Sequence, residues 1–335
     1  MEQRDLGQGV AVSRIALGTM TFGAESDEGA AGGILDTFVD AGGTVIDTAD
    51  VYSDGIAEEW IGRWLRLHPG VRDRVILVTK GRFPVTGQTG ASLSSAYLHT
   101  ALDASLRRLD VDYVDVYLAH GPDRSTRMED LARFFAEIVA TGKTRHVGVS
   151  NLPGWQLAKL STLLEGQGGP HLVTHQPQYN LLAREVEWEV LPAARDAGID
   201  AIVWGPLGSG WLTGKYQRDS RPPEGSRLGD DPDRGVESWS RRANERTWAI
   251  LDRLTEVAGE LGVSRAVVAL AWVADRPGVA SAIVGARTAE QLRETLAAAS
   301  VHLPEPAAAA LDEVSAPPLP DYPYSFIEEW SDVVS

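Results

Sequence analysis

The stretch IALGTMTFG, residues 15–23, decides between two α/β architectures. A short apolar run, Ile15–Leu17, breaks at Gly18 and is followed by Thr19-Met20-Thr21-Phe22-Gly23. A doubly wound dinucleotide-binding sheet carries Gly-x-Gly-x-x-Gly after its first strand, because the pyrophosphate must approach a tight turn at a helix N-terminus. That fingerprint is absent here, which favours a closed barrel over an open sheet. Seven further runs follow: Thr44–Ile46, Val75–Val78, Val114–Leu118, His146–Val149, Val173–His175, Ala201–Trp204 and Ala282–Val284. Several are β-branched and nearly unbroken, the pattern of strands buried on both faces of a parallel sheet. Amphipathic stretches lie between them, at Ala91–Leu109, Leu131–Ala140, Trp155–Leu164, Trp188–Ala197, Trp248–Leu261 and Ala289–Ala298, with stops at Gly142, Gly166, Gly198 and Gly262. Eight strand–helix units fit a (β/α)8 TIM barrel.

The expected organisation is one barrel domain over residues 1–335, with its core at about 15–300. Residues 215–246, rich in Gly, Pro, Asp, Arg and Ser, read as a long flap or loop after strand seven. Residues 313–335 read as an extended tail whose prolines oppose helix at its start and whose aromatics suggest packing.

Composition narrows the chemistry. The 335 residues are 43% hydrophobic and 23% charged, as in a globular protein. With no cysteine, the chain has no disulfide, thiolate nucleophile or Cys-type metal site. The formal charge of −16, from 47 acidic and 31 basic side chains, argues against nucleic acid or an anionic membrane as main partner. MEQRDLGQGV has no signal-peptide pattern and no run of about 18 apolar residues occurs, so a cytoplasmic location is expected. His171 and His175 stand about 13 Å apart on a strand, too far to share a metal, and no metal is expected.

Barrel chemistry collects at the C-terminal ends of the strands. Strand two ends in Asp47, with Tyr52 just beyond; strand three ends in Lys80, strand four in His120. Each alone has an ordinary explanation as a cap, a solvated end or a packing residue. Their coincidence on adjacent strand ends points to proton transfer to a carbonyl. A phenol with an ordinary pKa near 10 needs help to act as an acid at neutral pH, and a neighbouring ammonium supplies it. Tyr52 then reads as proton donor, Lys80 as its tuner, Asp47 as the anchor of Lys80, and His120 as the group that orients the substrate oxygen. A reductase also needs a hydride source, which no side chain provides. Trp204 offers a face for a nicotinamide ring; Ser150, Asn151 and Gln176 offer groups suited to a carboxamide; Gly285, Arg287 and Gln291 lie where barrels often bind phosphate.

DTADVYSDGIAEEWIG, VTKGRF, SLRRLDVDYVDVYLAHGPD, GKTRHVGVSN, HQPQYNLLAR, WGPLGSGWLTGKY and IVGARTAEQL, in that order from about Leu17 to Leu296, resemble the aldo-keto reductase superfamily in its bacterial branches. The resemblance implies a TIM barrel binding NADP(H) in extended form, and the tetrad Asp47, Tyr52, Lys80 and His120. It implies carboxamide contacts from Ser150, Asn151 and Gln176, with Trp204 under the nicotinamide. It places Gly205, Leu207, Gly210 and Lys215 at the pyrophosphate, Arg227 in the flap, and Gly285, Arg287 and Gln291 at the adenosine-phosphate end. Gly18, Thr19 and Met20, at the end of strand one, are also expected at the cofactor. The family commonly has Gly directly after the tyrosine; Ser53 stands here. An Arg beside the ribose fits the 2′-phosphate of NADP. The expected substrate is a small aldehyde or ketone, with Phe22, Val51, Phe83 and the tail around Trp330 as candidate pocket lining. The alternative function is a cofactor-binding regulatory subunit similar to potassium-channel β-subunits. A glycosidase barrel needs two facing carboxylates, and Asp47 is the one strong candidate at a strand end.

Overall fold

A computed structural model describes residues 1–331. Two short strands, β1 (Gln3–Asp5) and β2 (Ala11–Ser13), pair antiparallel ahead of the eight barrel strands. These are β3 (Ile15–Gly18), β4 (Val45–Asp47), β5 (Ile76–Gly81), β6 (Val114–Ala119), β7 (Thr144–Ser150), β8 (Leu172–Gln176), β9 (Asp200–Val203) and β10 (Val279–Gly285). They are parallel and in sequence order, and β10 returns to β3 with Val284 opposite Leu17, which closes the barrel. All eight sequence runs overlap these strands, with Thr44, Val75 and Trp204 one residue outside them.

Alternation sorts the strand residues into two layers. Ala16, Val45, Val78, Val116, Leu118, Ile202 and Ile283 pack inside the barrel. Leu6, Val10 and Val12, from the hairpin region that sequence reading did not anticipate, join this inner cluster and so plug the barrel. Ile15, Leu17, Ile46, Leu77, Tyr117, Val147 and Val149 face the helices. β8 interrupts the alternation: Val147 pairs with Leu172 but Gly148 pairs with Thr174, so Val173 is an extra residue. Such a bulge exchanges the faces of the residues beyond it. Gln176 thereby shares the interior with Asp47 and not the outer layer.

The surrounding helices are α1 (Glu28–Asp40), α2 (Ile56–Leu67), α3 (Ser95–Leu109), α4 (Met128–Ala140), α5 (Gly154–Gly166) and α6 (Val190–Asp196). After β9 come α7 (Arg227–Asp230), α8 (Trp239–Arg242), α9 (Glu245–Leu261) and α10 (Arg265–Ala274); after β10, α11 (Ala289–Leu296), α12 (Glu305–Ser315) and α13 (Phe326–Ser331). The expected helix from Ala91 begins only at Ser95, because the Ser94 hydroxyl accepts from the Tyr97 N–H and fixes the start there. Gly142, Gly198 and Gly262 take left-handed conformations just past helices, as their reading as stops requires; Gly166 is instead the last residue of α5.

The segment 215–246 is not a featureless loop, since it contains α7 and α8. Trp239 stacks on buried Trp211 at 4.9 Å, which pins this flap to the segment after β9. In the tail, Tyr324 packs on Trp188 and donates to Glu189 Oε2 at 3.1 Å, as the packing expectation holds. Tyr322, Phe326 and Trp330 are exposed, however, so Trp330 lines no enclosed pocket here. Residues 332–335 of the expected tail lie outside the described residues. Phe22 is wholly buried in the outer core and is a packing residue, not pocket lining. No single helix among the described residues is long and apolar enough to cross a membrane.

Candidate active site

Adjacent strands bring the four tetrad residues to one end of the barrel. Val45, Val78 and Leu118 face inward, so two residues further along each strand Asp47, Lys80 and His120 follow at the mouth. Lys80 is fully buried, and its Nζ donates to Asp47 Oδ1 at 2.6 Å, the Thr48 carbonyl at 2.8 Å and the Tyr52 hydroxyl at 3.1 Å. These three partners use the whole donor capacity of an ammonium. Gln176 donates to the other Asp47 oxygen at 2.7 Å. Thr19 ties the end of β3 to the same point, its N–H and hydroxyl both 3.0 Å from the Asp47 carbonyl.

Tyr52 opens a turn in which Ser53, Asp54 and Gly55 all have positive φ, at 49°, 59° and 93°. Such a turn favours glycine. Ser53, where the resemblance expects Gly, tolerates it through a 2.5 Å hydrogen bond from its hydroxyl to the Phe22 carbonyl. Asp54 accepts from the Thr86 N–H at 2.7 Å. His120 meets the Tyr52 ring edge-on at 5.9 Å and the Phe83 ring at 4.9 Å, which places Phe83 at the site.

The electrostatics follow from burial and the pair. Burial pushes the Lys80 ammonium down, but Asp47 and the Tyr52 oxygen outweigh it and hold the lysine above its ordinary range. Burial also holds the Tyr52 phenol above its ordinary value; Lys80 pulls it down, and Asp47 pushes it up again. The net direction differs from the sequence expectation of a lowered phenol. Lys80 tempers the effect of burial and does not reverse it, so Tyr52 remains in its proton-bearing form. His120 is held well below the ordinary imidazole range, by burial first and then by Lys80 and Arg82, and is neutral at pH 7. Its Nδ1 is buried without a partner.

A hydrogen-bonded chain runs from the tetrad to Trp204. Ser150 Oγ donates to the Gln176 carbonyl at 2.8 Å, and Asn151 Nδ2 donates to Ser150 Oγ at 2.8 Å and to the His120 carbonyl at 3.2 Å. Trp204 Nε1 donates to Asn151 Oδ1 at 2.9 Å, which fixes the orientation of the half-buried indole. Just beyond, Gly205, Gly208, Ser209 and Gly210 all have positive φ. A Cβ on Gly210 would lie 3.1 Å from Lys215 Nζ, so the lysine passes directly over a turn lined by Leu207.

The remaining cations converge on one acid. Glu25, in the connection after β3, meets Arg287 Nε at 2.6 Å, Arg227 at 3.1 Å and Arg234 at 3.2 Å. Burial pushes its carboxyl up, but Arg227 and Arg287 hold it below the ordinary carboxylate range. Gln291 accepts from the Arg287 N–H at 3.0 Å, and Gly285 pairs with Gly18 where β10 meets β3; Met20, two residues further, is exposed. The predicted residues thus form a tetrad, an amide chain and a cation cluster. Thr48, Glu25 and Arg234 were missed by sequence reading, since a backbone carbonyl and isolated loop charges leave no pattern. Among the described residues no three His, Asp or Glu side chains gather as a metal site.

Residues 14–316 match the model of the Aldo/keto reductase family. The chain is 36% identical over 315 residues to Uncharacterized oxidoreductase YrpG of Bacillus subtilis (strain 168), covering 90% of this chain and 92% of that protein. It is 34% identical over 308 residues to a Probable voltage-gated potassium channel subunit beta of Oryza sativa subsp. japonica, covering 90% and 92%. It is 32% identical over 329 residues to Versiconal hemiacetal acetate reductase of Aspergillus parasiticus, covering 90% and 94%. The closed eight-stranded barrel and the match over nearly the whole chain show that this protein belongs to the aldo/keto reductase family.

Proposed function

We propose that the protein is an NADPH-dependent oxidoreductase that reduces an aldehyde or ketone to an alcohol, with Tyr52 as proton donor. The observation that carries this reading is the 3.1 Å contact between Tyr52 and an ammonium already committed to Asp47 and Thr48. The phenol is protonated at rest, and Lys80 stabilises the phenolate once the proton has left. A neutral His120 has one ring nitrogen to donate toward the carbonyl oxygen and does not compete as an acid. Phe83 packs edge-on against His120 and gives that side of the imidazole an apolar neighbour.

The residues fit a nicotinamide dinucleotide. When bound, NADPH supplies the hydride that no side chain provides. The held indole of Trp204 suits a flat aromatic ring, and Ser150, Asn151 and Gln176 suit its carboxamide. Gly205, Leu207, Gly210 and Lys215 suit the pyrophosphate; Gly18, Thr19 and Met20 border the same end of the barrel. Arg287, Arg227, Gly285 and Gln291 suit the adenosine phosphate. Three arginines on a single carboxylate leave an excess of positive charge for a 2′-phosphate, which supports NADP over NAD.

The test is oxidation of NADPH followed by absorbance across a panel of aldehydes and ketones. Wild-type protein is expected to turn over one or more of them, and Tyr52→Phe to lose turnover by about 10²–10⁴-fold while retaining NADPH binding. NADPH binding without reduction of any carbonyl overturns the reading. The similarity to a protein described as a potassium channel β-subunit favours a second reading, a cofactor-binding regulatory subunit. Stable co-purification with a membrane protein, together with very slow turnover, would support it.

A further inference from the structure

Behind the Tyr52 turn lies a buried group that the proposed reduction does not use. Asp50 is fully buried, and no side chain donates to either of its carboxyl oxygens; the adjacent Val51 N–H is the one donor beside them, outside good hydrogen-bond geometry. Its main-chain N–H donates to the Lys80 carbonyl at 3.1 Å, so it ties the segment carrying Tyr52 to β5. The Tyr117 hydroxyl is also buried and unpartnered. A Cβ on Gly81, the residue after Lys80, would lie 2.2 Å from that hydroxyl and 3.4 Å from Asp50 Oδ2. The two oxygens therefore crowd the same glycine.

The cations nearby are already committed. Arg108 bonds Glu58 Oε2 at 2.7 Å, and the Thr79 hydroxyl bonds Glu58 Oε1 at 2.5 Å. The Lys80 ammonium serves Asp47, Thr48 and Tyr52. An ionised carboxylate with no side-chain donor, buried beside a second carboxylate, is an expensive arrangement, and one proton relieves it. We propose that Asp50 is a positioning residue acting on Tyr52 from behind its turn: its main chain ties residues 48–55 to β5, and its side chain, kept as a neutral carboxylic acid beside Gly81 and Tyr117, puts no second negative charge behind the Tyr52 phenol. The proposal rests on the reductase reading for its consequence, but the protonation state of Asp50 does not.

The groups facing Asp50 are Glu58 of α2, Arg108 and Tyr97 of α3, Lys80 of β5, Tyr117 of β6 and Tyr52 on its own segment. Burial, and then Glu58, push the Asp50 carboxyl up to about 8, with Arg108, the Val51 N–H and Lys80 pulling the other way. Above that pH the new carboxylate repels Glu58 and pushes the Tyr52 phenol further up, against loss of its proton. Reduction is therefore expected to slow as Asp50 ionises. The phenol and the ammonium of the tetrad lie above that range and His120 lies below it, so this limb belongs to Asp50.

Two measurements on the full chain test this. The first follows the side-chain carboxyl resonances of protein labelled with ¹³C-aspartate against pH. One resonance is expected to titrate near pH 8 in wild type and to vanish in Asp50→Asn. The second is the pH profile of carbonyl reduction. The wild-type rate is expected to fall above about pH 8, and Asp50→Asn, which keeps the shape and the neutrality, is expected to lose that limb. Should Asp50→Asn fail to fold, Glu58→Gln serves instead and is expected to move both the resonance and the limb to lower pH. The proposal is overturned if every aspartate titrates in the ordinary carboxylate range, or if Asp50→Asn retains the wild-type limb. Absence of reduction by any variant sinks the functional reading, and the resonances still decide Asp50.

Discussion

Replacing Lys80 with Met keeps most of the side chain's volume and removes its charge. Asp47, buried and bonded through Oδ1 to that lysine, keeps only the Gln176 amide on Oδ2. Breaking a buried pair from one side costs about 3–5 kcal/mol, because the surviving charge has no compensation. Here a ceiling can be set on the charge-dependent part, since Asp47 can always take up a proton. The ceiling is about 1.36 kcal/mol for each pH unit above the ordinary carboxyl value of 3.8, which gives about 4.4 kcal/mol at pH 7 and about 1.6 kcal/mol at pH 5. The sign follows from proton counts. In Lys80→Met the folded state binds a proton that the unfolded state has already released, so its stability falls as pH rises. Urea unfolding at pH 5 and pH 7, each against wild type, is expected to show a deficit smaller by up to about 2.7 kcal/mol at the lower pH. The double variant Asp47→Asn, Lys80→Met is expected to recover most of the deficit at pH 7. A deficit equal at both pH values, or a double variant as unstable as the single one, would refute the account of Lys80 as the counter-charge of a buried acid.

Ser53→Ala is expected to cost about 1 kcal/mol, by loss of the bond to Phe22, while Ser53→Gly changes stability by less, since relief of the positive φ offsets the same loss; paired urea melts decide. Arg287→Ala is expected to weaken NADPH binding by about 10–100-fold, and NADH binding by less, as a charge-assisted contact to phosphate requires; intrinsic tryptophan fluorescence of the free protein reads both. Trp239→Ala removes the ring stacked on Trp211 and is expected to expose the flap's arginines, giving faster tryptic cleavage within residues 215–246 under native conditions.

How much was legible in the sequence depended on the range over which each feature is set. The eight apolar runs are local, and burial on both faces of a parallel sheet leaves a composition that sequence reading detects, so the barrel strands were placed within a few residues. The tetrad was legible because barrel geometry converts position at a strand end into position at the mouth, and Asp47, Lys80 and His120 occupy three successive ends. What sequence reading missed is set by contacts between segments far apart in the chain. The hairpin that plugs the barrel, the Val173 bulge that turns Gln176 inward, and the meeting of Glu25 with Arg227, Arg234 and Arg287 all require the closed sheet before they exist. The direction of the Tyr52 shift is of the same kind. Residue types announced an ammonium beside a phenol, but only burial in the folded mouth decided that desolvation outweighs it.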